Sequence, residues 1–310
     1  MKRQKRTVIP NAVHHSYQRS IDGKIVFYTS RDAIVYYTIF MVWCKKLNIT
    51  LLDLCLMAEH SHALTIPKDN DSLERLYAGV NNQFVKEFNS DCGRDGPLFE
   101  SPFGSAPKLG AKKIRTSISY VANNPVERRL CPFAKDYIWN FLAFFNNSNP
   151  FSAKISRGKS RKVLRNALTE VQNCYDNGQY IGYARLDRLN KNLRTDEKEQ
   201  LRDFIIATYN VIDYEKLISF YGSYDKMIEA INSNTGSEYD INEVIDYKSD
   251  DKTYRELNRV ILRSGKVSRI KDILRLSLQE RKDLAIKLSR ATGLPGYQIK
   301  KYLHLPLSSN

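Results

Sequence analysis

Residues 51–66 read LLDLCLMAEHSHALTI, two apolar, β-branched runs with a short polar break between them. The runs at 49–57 and 61–66 have the composition of strands, and they flank AEHSH at 58–62. Side chains two apart on a strand point to the same face, so His60 and His62 offer both imidazoles to one space. Neutral imidazole is a common metal ligand, and the pair suits one divalent ion. Taken alone, an HxH fits two histidines on a half-exposed strand with no metal equally well.

Outward from this hairpin the pattern alternates. Residues 11–19 and 25–28 read as short strands, and Thr29 or Ser30 caps a helix to about Lys46, with Ala33, Val35, Ile39 and Met41 among its apolar positions. Ser72 opens a second helix through about Phe88. The stretch GRDGPLFESPFGSAPKLG leads into a helix from Ala111 to about Asn123, which Pro125 is expected to stop. Strand, helix, paired strands, helix, strand and helix predict an α+β fold, an antiparallel sheet covered by helices. The remainder, 160–230 and 252–310, is mostly helical by periodicity. His14 and His15 are adjacent, so on a strand they face opposite sides. They read as structural or DNA-facing residues, not as a ligand pair.

The third helix carries SISYVANNPVERRL, in which Tyr120 and Asn124 lie four apart on one face. A tyrosine hydroxyl is a poor nucleophile at its normal pKa near ~10, and needs a metal or a base beside it to attack a phosphodiester. An Asn carbonyl one turn away is a suitable hard-oxygen ligand for Mg²⁺ or Mn²⁺. In isolation, one tyrosine among nineteen reads as a packing residue.

AEHSHAL after a strand, followed by a helix ending YVANNPVERRL, resembles the single-tyrosine HUH transposases, and most closely the branch of the REP-associated tyrosine transposases. HHSYQRS resembles that family's first strand, and LFESPFGSAPK its strand before the catalytic helix. The resemblance covers roughly residues 8–150. It implies an HUH catalytic domain in which His60 and His62 bind a divalent metal, Tyr120 is the nucleophile and Asn124 is a third ligand. It also implies single-stranded or hairpin DNA as substrate and a homodimer as assembly. Two positions depart from the family pattern. Ser61 stands where a bulky apolar residue is usual, which predicts looser packing beneath the site. Glu59 stands where Asn is common, either as an exposed strand residue or as an aid to metal binding.

Charge agrees with a polyanionic partner: 49 Lys+Arg oppose 34 Asp+Glu, a net +15. Residues 252–310 hold fourteen Lys/Arg against four acids. Within them, Ser277 and Glu280 form a capping box, Gly293 suits a left-handed helix stop and Pro295 the first turn of the next helix. Two short helices joined this way resemble a helix-turn-helix, with Ile299 and Leu303 inward and Gln298, Lys300, Lys301 and His304 outward toward DNA. The same pattern fits a plain helical hairpin with a solvated basic face. The Asn/Pro-rich NNSNP near residue 150 and the acidic stretch 233–251 divide the chain into 1–150, a helical middle region 151–251, and 252–310.

The longest apolar run, Ala33 to Trp43, is too short to span a bilayer. MKRQKR is not followed by a long apolar region, and the five cysteines form no CxxC pair. These features predict a cytoplasmic protein without disulfides or membrane segments. The reading is a DNA transposase. The alternatives are a non-catalytic DNA-binding regulator derived from one, and a replication or relaxase-type HUH nickase, which commonly reverses the motif order or carries longer histidine triads.

Overall fold

The computed structural model describes residues 7–156, 158–233 and 252–307. The basic residues before position 7 and the acidic stretch 234–251 lie outside the described residues. The two central runs pair as β2 (Thr50–Met57) and β3 (His60–Ile66). With β1 (Val13–Arg19) and β4 (Gly104–Lys108) they form an antiparallel sheet in the order β2-β3-β1-β4. The fold is α+β.

Alternation along the strands gives the sheet two faces. On one face lie α1 (Ser30–Leu47) and α2 (Ser72–Cys92). The hydroxyl of Ser16 meets that of Tyr77 at 2.8 Å, and the hydroxyl of Ser61 meets that of Tyr36 at 3.0 Å. On the other face lies α3 (Ala111–Glu127), whose Ile118 and Val121 pack with Val13, Leu52 and Leu64. Helix α1 starts where the sequence predicts: the Thr29 N–H donates to Asp32 Oδ2 at 3.0 Å and Thr29 Oγ1 accepts from the Arg31 N–H at 3.3 Å. It ends at Asn48, which takes the left-handed conformation at φ 52°. Each large apolar side chain it buries contributes roughly 1.5–3 kcal/mol.

Expectations about the sheet and α3 need correction. Residues 25–28 form no strand. Their backbone is satisfied instead by the carbonyl of Ala58, which accepts from Val26 and Phe27 at 2.9 and 3.0 Å, and by Lys301 O, which accepts from Ile25 at 3.3 Å. Pro125 does not stop α3, which runs on to Glu127; the Arg128 N–H still reaches Asn124 O at 3.1 Å. A proline in the last turn forfeits only one hydrogen bond. Packing beneath Ser61 is not loose, because the Tyr36 ring fills the space and its hydroxyl meets the serine.

The remaining helices wrap this unit. Against α1 pack α5 (Tyr183–Asn190) and α6 (Thr195–Tyr209), with α4 (Lys162–Asp176) against α6, and all share one apolar core with it. Helices α7 (Tyr214–Ser219) and α8 (Tyr224–Ser233) lie beside α3, where Asn123 Nδ2 donates to Ile231 O at 2.7 Å. The chain then returns to the α1 and α2 side as α9 (Lys252–Arg263), α10 (Leu278–Thr292) and α11 (Gly296–Tyr302). The core is therefore continuous across residue 150. Helix α10 has the Ser277–Glu280 capping box, and Gly293 stops it at φ 67°. Helix α11, however, is docked on the body. Tyr302, Leu303 and Leu305 are buried, and the Tyr28 hydroxyl donates to Tyr302 O at 2.6 Å. Gln298 is buried, not outward. His304 also turns inward, with Nε2 2.7 Å from Ile25 O. Lys300 and Lys301 stay partly exposed. All five cysteines are free thiols. No helix among the described residues is long and apolar enough to cross a membrane.

Candidate active site

The face of the sheet under α3 carries His15, Tyr17 and Arg19 from β1 and His60 and His62 from β3. Register sets Tyr17 opposite His62 and Arg19 opposite His60. Helix α3 lays Tyr120 across this face. Its ring stands edge-on to both His15 and His62, at centroid distances of 5.5 Å and angles of 80° and 83°. His60 and His62 are 4.9 Å apart, also edge to face. The structure thus brings together the histidine pair and the tyrosine singled out by their spacing in sequence. Tyr120 is buried, at 2% exposure.

His15 is a site residue that sequence reasoning set aside. Its Nε2 lies 3.0 Å from His62 Nδ1, and the two rings stack at 17°. His14 faces the opposite side, with Nδ1 near Ser105 Oγ at 3.3 Å and Nε2 on the Ile9 backbone. Alternation groups His15 with Val13, Tyr17 and Arg19, and the pairing of β1 with β3 then puts that group on the face of the HxH pair.

The donor set fits a divalent ion. Burial, reinforced by the positive charge around it from His60, His15, Arg19 and Arg128, holds the His62 pKa well below its ordinary value. His62 is therefore a neutral imidazole, the ligating form. His15 engages its Nδ1, which leaves Nε2 as the ligating atom. The amide nitrogen of Asn124 donates to Tyr120 O at 3.0 Å, which leaves the amide oxygen as the ligating end. Among the described residues no three His, Cys, Asp or Glu side chains form a metal-binding group. His60 and His62 thus offer two imidazoles on one face, the ligand type that suits a divalent ion.

Glu59 is not an exposed strand residue. Its Oε1 lies 3.4 Å from His60 Nδ1 and 3.2 Å from the Arg128 guanidinium, with the side chain 13% exposed. Burial works against ionisation, yet His60, Arg128 and the charge of Lys301 hold its carboxyl below the ordinary range. Glu59 thereby orients His60 from behind, as a carboxylate behind a metal-bound imidazole does. Beside His62, the Tyr17 ring covers Gly104, and the Arg19 guanidinium sits 5.3 Å over that ring. A Cβ on Gly104 would fall 2.1 Å from Tyr17 Cζ, so glycine there is what lets the ring lie on the sheet.

No protein-family model matches the chain, and no curated protein matches it. Among solved structures it is similar to a REP-associated tyrosine transposase bound to a REP hairpin, at a TM-score of 0.40 and 17% identity, over 52% of this chain and 89% of that one.

Proposed function

We propose that the protein is a single-tyrosine DNA strand transferase that acts on single-stranded or hairpin DNA with Mg²⁺ or Mn²⁺. The observation that carries this reading is the packing of Tyr120 against His15 and His62 at 5.5 Å. His60, His62 and Asn124 would hold the metal. A divalent ion bound there supplies positive charge that offsets charge gathering on the phosphoryl oxygens in the transition state.

Tyr120 Oη attacks phosphorus as the bond to the 3′-oxygen breaks. One fragment leaves with a 3′-OH and the other remains as a 5′-phosphotyrosine. The proton lost by the phenol is balanced by the proton gained by the 3′-oxygen, and no water is consumed. The new ester keeps the energy of the old one, so a second 3′-OH reverses the step and joins new strands. Arg19, opposite His60 in the register, and Arg128, paired with Glu59, suit phosphates beside the cut. The division of labour proposed with this reading is catalysis in 1–150, a helical middle in 151–251, and basic DNA contact through Lys300 and Lys301 in 252–310.

Burial of Tyr120 favours a second reading, a DNA-binding regulator that no longer cuts. Incubation with hairpin-bearing single-stranded DNA and Mn²⁺, followed by a denaturing gel, separates the two. A metal-dependent covalent adduct supports the transferase. DNA binding with no adduct for any such substrate assigns the regulator.

A further inference from the structure

We infer that a second DNA-binding site lies beside the catalytic face: an aromatic cavity that takes one unstacked nucleotide of the single strand. The inference rests on the strand-transferase reading and names a subsite for its substrate. The cavity holds about 500 Å³, within the roughly 300–1,000 Å³ of small-molecule sites. Tyr28, Tyr137, Trp139 and Tyr254 line it, together with Arg202 and Arg255 and one carboxylate, Asp136. Aromatic rings accept any base by stacking, worth ~1–3 kcal/mol per base, and guanidinium groups suit the phosphates on either side. Thr29 and Ser30, at the start of the eighteen-residue α1, also line the cavity. A base inside a duplex is stacked on its neighbours and cannot enter.

Position ties the cavity to the reaction. Leu56, Met57 and Ala58 form part of its wall and run directly into Glu59 and His60. Leu130, also in the wall, lies two residues beyond Arg128 on the chain leaving the Tyr120 helix. The Glu59–Arg128 ion pair joins the two segments just beyond these wall residues. A strand cut at Tyr120 and continuing past that pair delivers its next nucleotides to the cavity.

The chain has two tryptophans, so Trp43→Phe leaves Trp139 as sole reporter. Full-length protein with that change is titrated with single-stranded oligothymidylate, with an abasic oligonucleotide of equal length, and with dTMP, while adduct formation is assayed in parallel. The expected result is saturable quenching of Trp139 by oligothymidylate, absent with the abasic strand. Arg255→Ala, at an exposed position, should weaken the quenching several-fold and lower its salt dependence by about one counterion. Equal signals from abasic and thymidylate strands, or no quenching while the oligonucleotide is bound, overturns the proposal. Quenching by dTMP alone also overturns it, since it marks a free-nucleotide site. Adduct without quenching rejects the cavity and keeps the transferase; quenching without adduct does the reverse.

Discussion

At the scale of single residues, the placement of the candidate side chains was legible where spacing alone decides which of them share a face. HxH on a strand and Tyr120 with Asn124 on a helix are such cases. His15 was not legible in that way, because its partner His62 is set by strand pairing, a long-range fact. Glu59 was ambiguous for the same reason, since Arg128 arrives from another element. Two predictions belong here. Tyr120→Phe should abolish the covalent adduct on a denaturing gel while DNA affinity stays within a few-fold, because phenylalanine has no hydroxyl to attack with. Undiminished adduct in that variant would pass the nucleophile to another hydroxyl, with Tyr17 the first to test. His15→Ala should lower Mn²⁺ affinity by ~10–100-fold, the usual effect of losing a partner behind a ligating imidazole. His15→Gln, which can still hydrogen-bond His62 Nδ1, should recover part of it. Calorimetric titration with Mn²⁺ checks both; unchanged affinity in His15→Ala means the strand alone orients His62.

At the scale of elements, the sequence indicated β1, the β2–β3 hairpin, α1, α2 and α3, because each has a clear period or cap. It misjudged ends and edges. Helix α3 passes Pro125 because one lost hydrogen bond is a small term against the burial of its neighbours. Residues 25–28 have strand composition but find partners in a turn and a distant helix. Strand β2 holds a further feature: a register shift between Leu51 and Asp53, where Asp53 is buried. Asp53 Oδ1 accepts the Leu54 N–H at 2.8 Å, and its buried Oδ2 has no partner. Burial pushes its pKa up to about 8, against the pull of that N–H. In the unfolded chain the group titrates near ~3.9. The folded state thus holds a proton that the unfolded state has lost, and stability falls as pH rises from the lower value to the upper. Asp53→Asn should melt in urea much like wild type at pH near ~4 and be the more stable at pH near ~8, with the gap widening by up to ~1.4 kcal/mol per pH unit. A gap that does not change with pH would show that Asp53 is ionised in the fold.

At the scale of the whole molecule, the capping box and glycine stop of α10 were legible, but the placement of the C-terminal region was not. Its docking depends on charges far apart in sequence. Lys271 Nζ lies 2.9 Å from Asp32 Oδ1 at the start of α1 and 2.7 Å from Asp91 Oδ2 at the end of α2. Arg31 joins the network through Asp91 at 2.7 Å and Asp187 at 2.6 Å. The Lys271 ammonium also sits 3.5 Å from the centre of the Tyr183 ring. Lys271 and Asp32 are almost wholly buried, so water cannot replace a missing partner. A helix-turn-helix of the kind the sequence suggests within 252–310 would be separable, its removal costing DNA affinity only. The network argues instead that removal strips a buried cation from two carboxylates and uncovers the core at Tyr302 and Leu303. Lys271→Met, which keeps the length of the stem but not the charge, should destabilise the fold by ~3–5 kcal/mol, the range for breaking a buried ion pair. Asp32→Asn added to it should restore part of that loss, because one uncompensated charge is then gone. Urea melts of the two variants and wild type decide the matter. If Lys271→Met melts with wild type, apolar contact alone holds the tail, and the truncated chain should then be judged by Tyr302→Ala instead.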